Sequence, residues 1–278
     1  MLVSTARLAE VLGHEDVLVF DYRHDLLDHG KGRRLYAESH IPGAHFAPVE
    51  TALSGPKNGT NGRHPLPAPE AFASFLNEHG AGSATQLVAY DDAGGQYAAR
   101  FWWLARWIGL ARAAVLDGGF PKWLAEGRPV TQDIPAAPGG GTVMPRPDAT
   151  MVVAVTELEQ ALADRHLQLV DARSAERYRG ESEPIDPVAG RIPGAVNRFI
   201  RMNLAPDLTL RPAPELRREF EALLQGRPPA EVAHQCGSGV AACVNVLAME
   251  HAGLRGSRLY AGSWSEWIAD PRRPVAKG

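Results

Sequence analysis

In the stretch Val232-Ala233-His234-Gln235-Cys236-Gly237-Ser238-Gly239-Val240-Ala241, an apolar run ends in a cysteine, and two glycines follow within three residues. Residues 241–254 then have helix composition, with Val244, Leu247, Ala248 and Leu254 on one face. The order reads as strand, tight loop, helix. Gly237 and Gly239 allow backbone angles that turn successive N–H groups into one concavity, and the free N–H groups of the helix start point to the same spot. Such a cradle favours a thiolate. A cysteine of ordinary pKa, about 8.5, is lowered by a helix N-terminus and nearby cations, which makes Cys236 a candidate nucleophile at neutral pH. The alternative is a structural thiol at a strand end. Cys243 stands seven residues on, about 10 Å of rise along a continuous helix, too far for a disulfide with Cys236.

Several classes are excluded by composition. A length of 278 residues suits two domains of ordinary size. Hydrophobic residues make up 45% and charged residues 22%, and the net charge is −3, so nothing attracts nucleic acid or an anionic membrane. Residues 1–19 mix Arg7, Glu10, His14, Glu15 and Asp16 among apolar residues, so a signal peptide or spanning segment is not expected there, and the reading is cytoplasmic. Two cysteines are too few for a disulfide scaffold or a cysteine-rich zinc site. No metal or organic cofactor is expected.

The elements that must hold the cysteine loop occur twice. In the first half, Thr5 to Leu12 reads as a helix capped by Ser4 or Thr5, and residues 17–20 as a strand ending at Asp21. Ile41-Pro42-Gly43-Ala44 and a glycine-rich loop over 54–63 follow. Next come a helix over 69–79, a strand over 87–90, a helix over 97–110, a strand near 114–116 and a helix near 121–126. In the second half, 156–164 reads as a helix, 167–170 as a strand ending at Asp171, and Ile192-Pro193-Gly194-Ala195 repeats the earlier motif. A helix over 213–224 precedes the cysteine strand. Asp21 matches Asp171, Ile41 matches Ile192, Val88 matches Val232 and Trp123 matches Trp267, an internal duplication. This strand alignment sets Asp92 opposite Cys236. Residues 131–150, with four prolines and Gly139-Gly140-Gly141, read as a linker. The expected architecture is α/β: residues 1–132 and 151–278 as two domains with mostly parallel sheets flanked by helices, joined by 133–150. Trp102, Trp103 and Trp107 are read as packing, and Asp171 with Arg173 as a structural ion pair.

Asp171-Ala172-Arg173, the two Ile-Pro-Gly-Ala motifs, the cysteine loop and Gly262-Ser263-Trp264-Ser265-Glu266-Trp267 together resemble the tandem rhodanese-like sulfurtransferases over nearly the whole chain. The resemblance implies two rhodanese-like domains with the catalytic cysteine, Cys236, in the second. The neutral Cys-Gly-Ser-Gly-Val loop resembles the 3-mercaptopyruvate branch, whereas thiosulfate enzymes carry a cationic loop, as a dianionic donor requires. Arg177 matches the family's substrate-binding arginine, with a surface ion pair as its alternative. Two departures stand out: Asp186 occupies the place of a second arginine, for which Arg179 and Arg191 are out of register, and Ala241 replaces a loop threonine. By the same resemblance Ser238, His64 and Glu50 match a proton-moving serine, histidine and acid. His64 would then have to reach the loop from the first half of the chain, and the alternative is a surface histidine.

The expected reaction is transfer of sulfur from 3-mercaptopyruvate through a Cys236 persulfide to an acceptor. The backbone N–H groups of Gly237, Ser238, Gly239, Val240 and Ala241 would stabilise negative sulfur, and Arg177 would hold the donor. The resemblance implies thiol acceptors such as thioredoxin or glutathione, or cyanide. The rivals are thiosulfate sulfurtransferase on the same site and a persulfide-relay carrier. A phosphatase needs arginine at the sixth residue after the cysteine, and Ala242 stands there.

Overall fold

The computed structural model describes residues 1–278. Two compact units divide the chain. The first comprises Met1–Ser54, Pro67–Asp148 and Leu204–Leu210, and the second Gly55–Leu66, Ala149–Asn203 and Arg211–Gly278. Each unit therefore takes a short segment from the other half of the sequence. The segment Gly55–Leu66, which carries His64, belongs to the cysteine-bearing unit.

The first unit holds strands β1 (Leu2–Val3), β2 (Val17–Asp21), β3 (Ala44–Phe46), β4 (Gln86–Tyr90) and β5 (Ala113–Leu116) in the order β1-β5-β4-β2-β3, all parallel. The second holds β6 (Gln168–Asp171), β7 (Val196–Asn197), β8 (Val232–Gln235) and β9 (Arg258–Leu259) in the order β7-β6-β8-β9, again all parallel. Parallel strands covered by helices are buried on both faces, which is why residues 87–90 of β4 and all of β8 are buried without alternation. The expected helices are present as Thr5–Val11, Pro69–Glu78, Ala98–Trp107, Gly119–Ala125, Val155–Ala163, Ala213–Leu224 and Ala242–His251. Ser4 caps the first of them, its Oγ accepting from the Arg7 N–H at 3.1 Å.

The duplication is visible in the two cores. Leu8, Val19, Ile41, Val88, Phe120 and Trp123 pack together in the first unit, and Leu158, Leu169, Ile192, Ala233, Trp264 and Trp267 in the second. Trp102 and Trp103 are fully buried and Trp107 nearly so, in keeping with packing roles. Residues 132–148 form no helix or strand. They are docked along the first unit, where Val143 N–H donates to Asn77 Oδ1 at 2.7 Å and Arg146 N–H to the Ile108 carbonyl at 2.9 Å.

One expectation is corrected by the strand register. Asp21 pairs with Tyr90 on β4, and Asp171 pairs with Gln235 on β8, so the residue after Tyr90, Asp91 rather than Asp92, is the counterpart of Cys236. Backbone bonding agrees: Phe120 N–H donates to the Asp91 carbonyl and Trp264 N–H to the Cys236 carbonyl. A strand buried on both faces has no polar alternation to fix its register, so matching Val88 to Val232 placed the loops one residue apart.

Candidate active site

Cys236 follows the last residue of β8 and is 4% exposed. Its backbone is held on both sides. The Cys236 N–H donates to Ser263 Oγ at 3.1 Å, its carbonyl accepts from Trp264 N–H at 3.1 Å, and the next carbonyl, of Gly237, accepts from Ser265 N–H at 3.0 Å. Ser263 adopts the left-handed φ of +56°, unusual for a residue with a side chain, and its hydroxyl donates to the Tyr260 carbonyl at 3.0 Å. The sulfur receives the Gly239 N–H at 3.2 Å. Gly239 has φ +79°, and a side-chain carbon there would lie 2.1 Å from the Ala261 carbonyl oxygen, so only glycine lets the loop close over the sulfur. Cys243 is also a free, buried thiol, and its Sγ is 3.5 Å from the Gly239 carbonyl.

Charge gathers beside this loop. Arg177, on the short helix Ala175–Arg179, donates from Nε and Nη2 to Glu183 at 2.7 to 3.1 Å, and from Nη2 to Asp186 Oδ2 at 3.2 Å. Arg63 donates from Nη1 to the other oxygen of Asp186. The two guanidinium groups meet above Gly237, where a side-chain carbon would lie 2.8 Å from Arg63 Nη2, 3.4 Å from Arg177 Nη2 and 3.7 Å from Arg177 Nη1. Desolvation pulls the Arg63 guanidinium below its ordinary value, and its electrostatic interaction with the neighbouring Cys236 opposes that shift. Arg179 and Arg191 are directed elsewhere: Arg179 pairs with exposed Glu181, and Arg191 reaches the Gly278 carbonyl and stacks on Tyr178. The Asp171–Arg173 pair is buried, with Arg173 also bonded to the Gly190 carbonyl and lying 4.7 Å over the Trp264 ring. That arrangement suits a structural pair.

His64 Nδ1 lies 2.8 Å from Ser238 Oγ, and both residues are buried. The alternative of a surface histidine is therefore excluded. Glu50 sits on the helix Val49–Ala52 of the first unit, its Oε1 4.0 Å from His24 Nε2 and 3.8 Å from His29 Nδ1. Val240 and Ala241 lead from the loop into the helix Ala242–His251. Sequence reasoning missed Arg63 and Ser263. Ser263 lies inside a motif that was recognised, but its left-handed backbone has no signature in sequence.

A doubled parallel α/β scaffold, with a cysteine lodged in a glycine loop at a strand end in one copy, defines the class. The Rhodanese-like domain family matches residues 4–126 and 154–270, and the chain belongs to that family as a tandem-domain sulfurtransferase. A probable 3-mercaptopyruvate sulfurtransferase of Pseudomonas aeruginosa is 47% identical over 100% of this chain and 98% of its own length. A putative thiosulfate sulfurtransferase, SseB, of Mycobacterium tuberculosis is 36% identical over 100% of this chain and 97% of its own. Among solved structures, SseA from Escherichia coli, described as a 3-mercaptopyruvate sulfotransferase, superposes with a TM-score of 0.81 at 29% identity, over 95% of this chain and 99% of that one. No helix is long and apolar enough to cross a membrane.

Proposed function

We propose that the protein transfers sulfur from 3-mercaptopyruvate to a thiol or cyanide, with Cys236 as the nucleophile. The observation that carries this reading is the Cys236 sulfur under the Gly239 N–H, with the guanidinium groups of Arg63 and Arg177 beside the same loop. Both features place positive potential next to a sulfur that must be negative to react.

The Cys236 thiolate attacks the donor sulfur and the S–S bond forms as the carbon–sulfur bond breaks. Its electron pair passes to carbon, giving the enolate of pyruvate. The proton of the donor thiol ends on that carbon, so the first half-reaction leaves pyruvate and a Cys236 persulfide anion. An acceptor thiolate then takes the outer sulfur and restores the Cys236 thiolate. Ser238 and His64 form the proton path, and Arg177 holds the donor carboxylate. Gly237, Val240 and Ala241 shape the backbone cradle around the transferred sulfur. Thioredoxin or glutathione is the expected thiol acceptor and the cytoplasm the expected location.

One observation favours a second reading. Two guanidinium groups beside the loop supply the charge that a dianionic thiosulfate needs, and the 36% identical relative carries that donor in its name. Comparing kcat/KM for the two donors decides between them, with 3-mercaptopyruvate expected to be preferred. Mass spectrometry after incubation with each donor tests the shared step: the tryptic peptide containing Cys236 gains one sulfur atom, and a peptide that gains none with either donor refutes the reading.

A further inference from the structure

We infer that Arg63 is the second cation for the donor carboxylate, brought over the nucleophile loop by Asp186. This rests on the reading of 3-mercaptopyruvate as donor. Asp186 puts a negative charge among the arginines beside the nucleophile loop. The structure shows what the negative charge does. Asp186 is almost wholly buried and bridges two guanidinium groups, one carboxylate oxygen on Arg177 and the other on Arg63. Arg63 comes from the segment Gly55–Leu66, far away in sequence but part of the same unit.

That segment is pinned. The Arg63 N–H donates to Ser265 Oγ at 3.0 Å, and Gly62, at φ +82°, passes so close to the Gly262 carbonyl that a side-chain carbon would lie 2.7 Å from its oxygen. The guanidinium group is thus delivered from a fixed backbone. With Nη1 on Asp186, Arg63 keeps Nη2 directed over Gly237, and Arg177, with Nε and Nη2 engaged, keeps Nη1 directed to the same place. Two amino groups from separate guanidinium groups facing one point can hold a carboxylate by one oxygen each. Gly237, next to the nucleophile, keeps that point clear of any side chain. Asp186 also offsets the repulsion between the two cations, a task an arginine at 186 could not perform.

Steady-state kinetics on the full chain, with 3-mercaptopyruvate as donor and pyruvate as a product inhibitor that carries the same carboxylate, test this. Arg63→Ala should raise KM for 3-mercaptopyruvate and the inhibition constant of pyruvate together by about ten- to a hundredfold, the size of a charged hydrogen bond. Its kcat should fall too, by a smaller factor than KM rises, because Arg63 also lends positive potential to the Cys236 sulfur. Arg63→Lys should fall between the two. In the double variant Arg63→Ala with Asp186→Arg, the cation moves from one segment to the other, and both constants should return toward wild type. Should Asp186→Arg not fold, the alanine and lysine variants decide alone. Unchanged KM and pyruvate inhibition in Arg63→Ala overturn the assignment, as does a folded double variant no better than Arg63→Ala. Wild-type protein that takes no sulfur from 3-mercaptopyruvate overturns the donor reading instead.

Discussion

The loops that follow β4 and β8 leave equivalent strands through the same backbone frame and end in opposite states. In each unit an aspartate two residues before an arginine is buried under the loop: Arg23 bonds Asp21 at 2.6 Å and lies 4.1 Å over Phe120, while Arg173 bonds Asp171 at 2.7 Å and lies over Trp264. In the first unit the loop wraps round its own side chain. Asp91 accepts N–H groups from Ala93, Gly95, Tyr97 and Ala98 at 2.7 to 2.9 Å, so the concavity is filled from within. Burial pushes the Asp91 carboxyl above its ordinary value, with those four amides opposing the shift. In the second unit the cysteine takes the Gly239 amide, and guanidinium groups from two other segments complete the surroundings. The same frame therefore turns backbone amides toward the residue after the strand in both units, four onto Asp91 and one onto Cys236. Whether the loop binds a substrate depends on what already occupies it.

The largest expected effect separates the loops outright. Cys236→Ser should lower sulfur transfer by at least about a thousandfold, as loss of a covalent nucleophile does, with the fold intact by circular dichroism. A variant that keeps wild-type turnover ends the comparison.

Acid should act on both units, further into the acid range for the second. His234, buried on β8 with Nε2 3.2 Å from Met249 Sδ, is lowered by desolvation to about 3, and His45 on β3 by desolvation and by His79 to about 4. The unfolded chain binds these protons first, near pH 6.5, so the stability they contribute is complete above about pH 6.5. It is lost progressively as pH falls toward the folded values. Denaturant titrations across that range should show the slope, and His234→Leu should flatten it most below about pH 4, between the two folded values. A slope unchanged in that variant would show that His234 does not carry it.

Asp91→Ala should cost about 2 to 4 kcal/mol, because buried amides lose their acceptor, while sulfur transfer per folded molecule stays unchanged. Thermal melts and active-site titration measure the two effects separately. A fall in turnover without a fall in stability would mean that the first loop takes part in the chemistry.

The smallest effect concerns Ser263, whose counterpart in the first unit is Gly119 at φ +59°. Ser263→Gly relieves left-handed strain of about 1 kcal/mol and removes hydrogen bonds of similar worth, so the melting temperature should hardly move. The kcat should fall a few-fold as the Cys236 backbone loses its anchor. An unchanged kcat would assign the hydroxyl to packing alone.

Much of the frame was legible. The apolar runs before Asp21, Asp171 and Cys236 became parallel strands, the helices around 69–79, 97–110 and 213–224 lie where their composition places them, and the repeated Ile-Pro-Gly-Ala and tryptophan motifs became matching parts of two cores. The short helix Lys31–Glu38 went unread, because Lys31, Arg33, Arg34 and Glu38 give it little apolar face. The one-residue shift that set Asp92 against Cys236 arose where burial on both faces erases alternation. In the site, the type and spacing of Cys236, Gly237, Ser238 and Gly239 announced the loop, and Arg177 followed from the resemblance.

The sequence by itself determined the duplicated α/β architecture and the identity of the cysteine loop, because strand and helix composition and the dihedral freedom of glycine act over a few neighbouring residues. Tertiary structure alone decided that Gly55–Leu66 joins the second unit, that Arg63 stands beside Arg177 on opposite oxygens of Asp186, and that His64 reaches Ser238. Arg63 and Asp186 lie more than a hundred residues apart. A charge takes its partner from whatever chain folding brings within a few ångströms, and nothing local in either stretch encodes that choice.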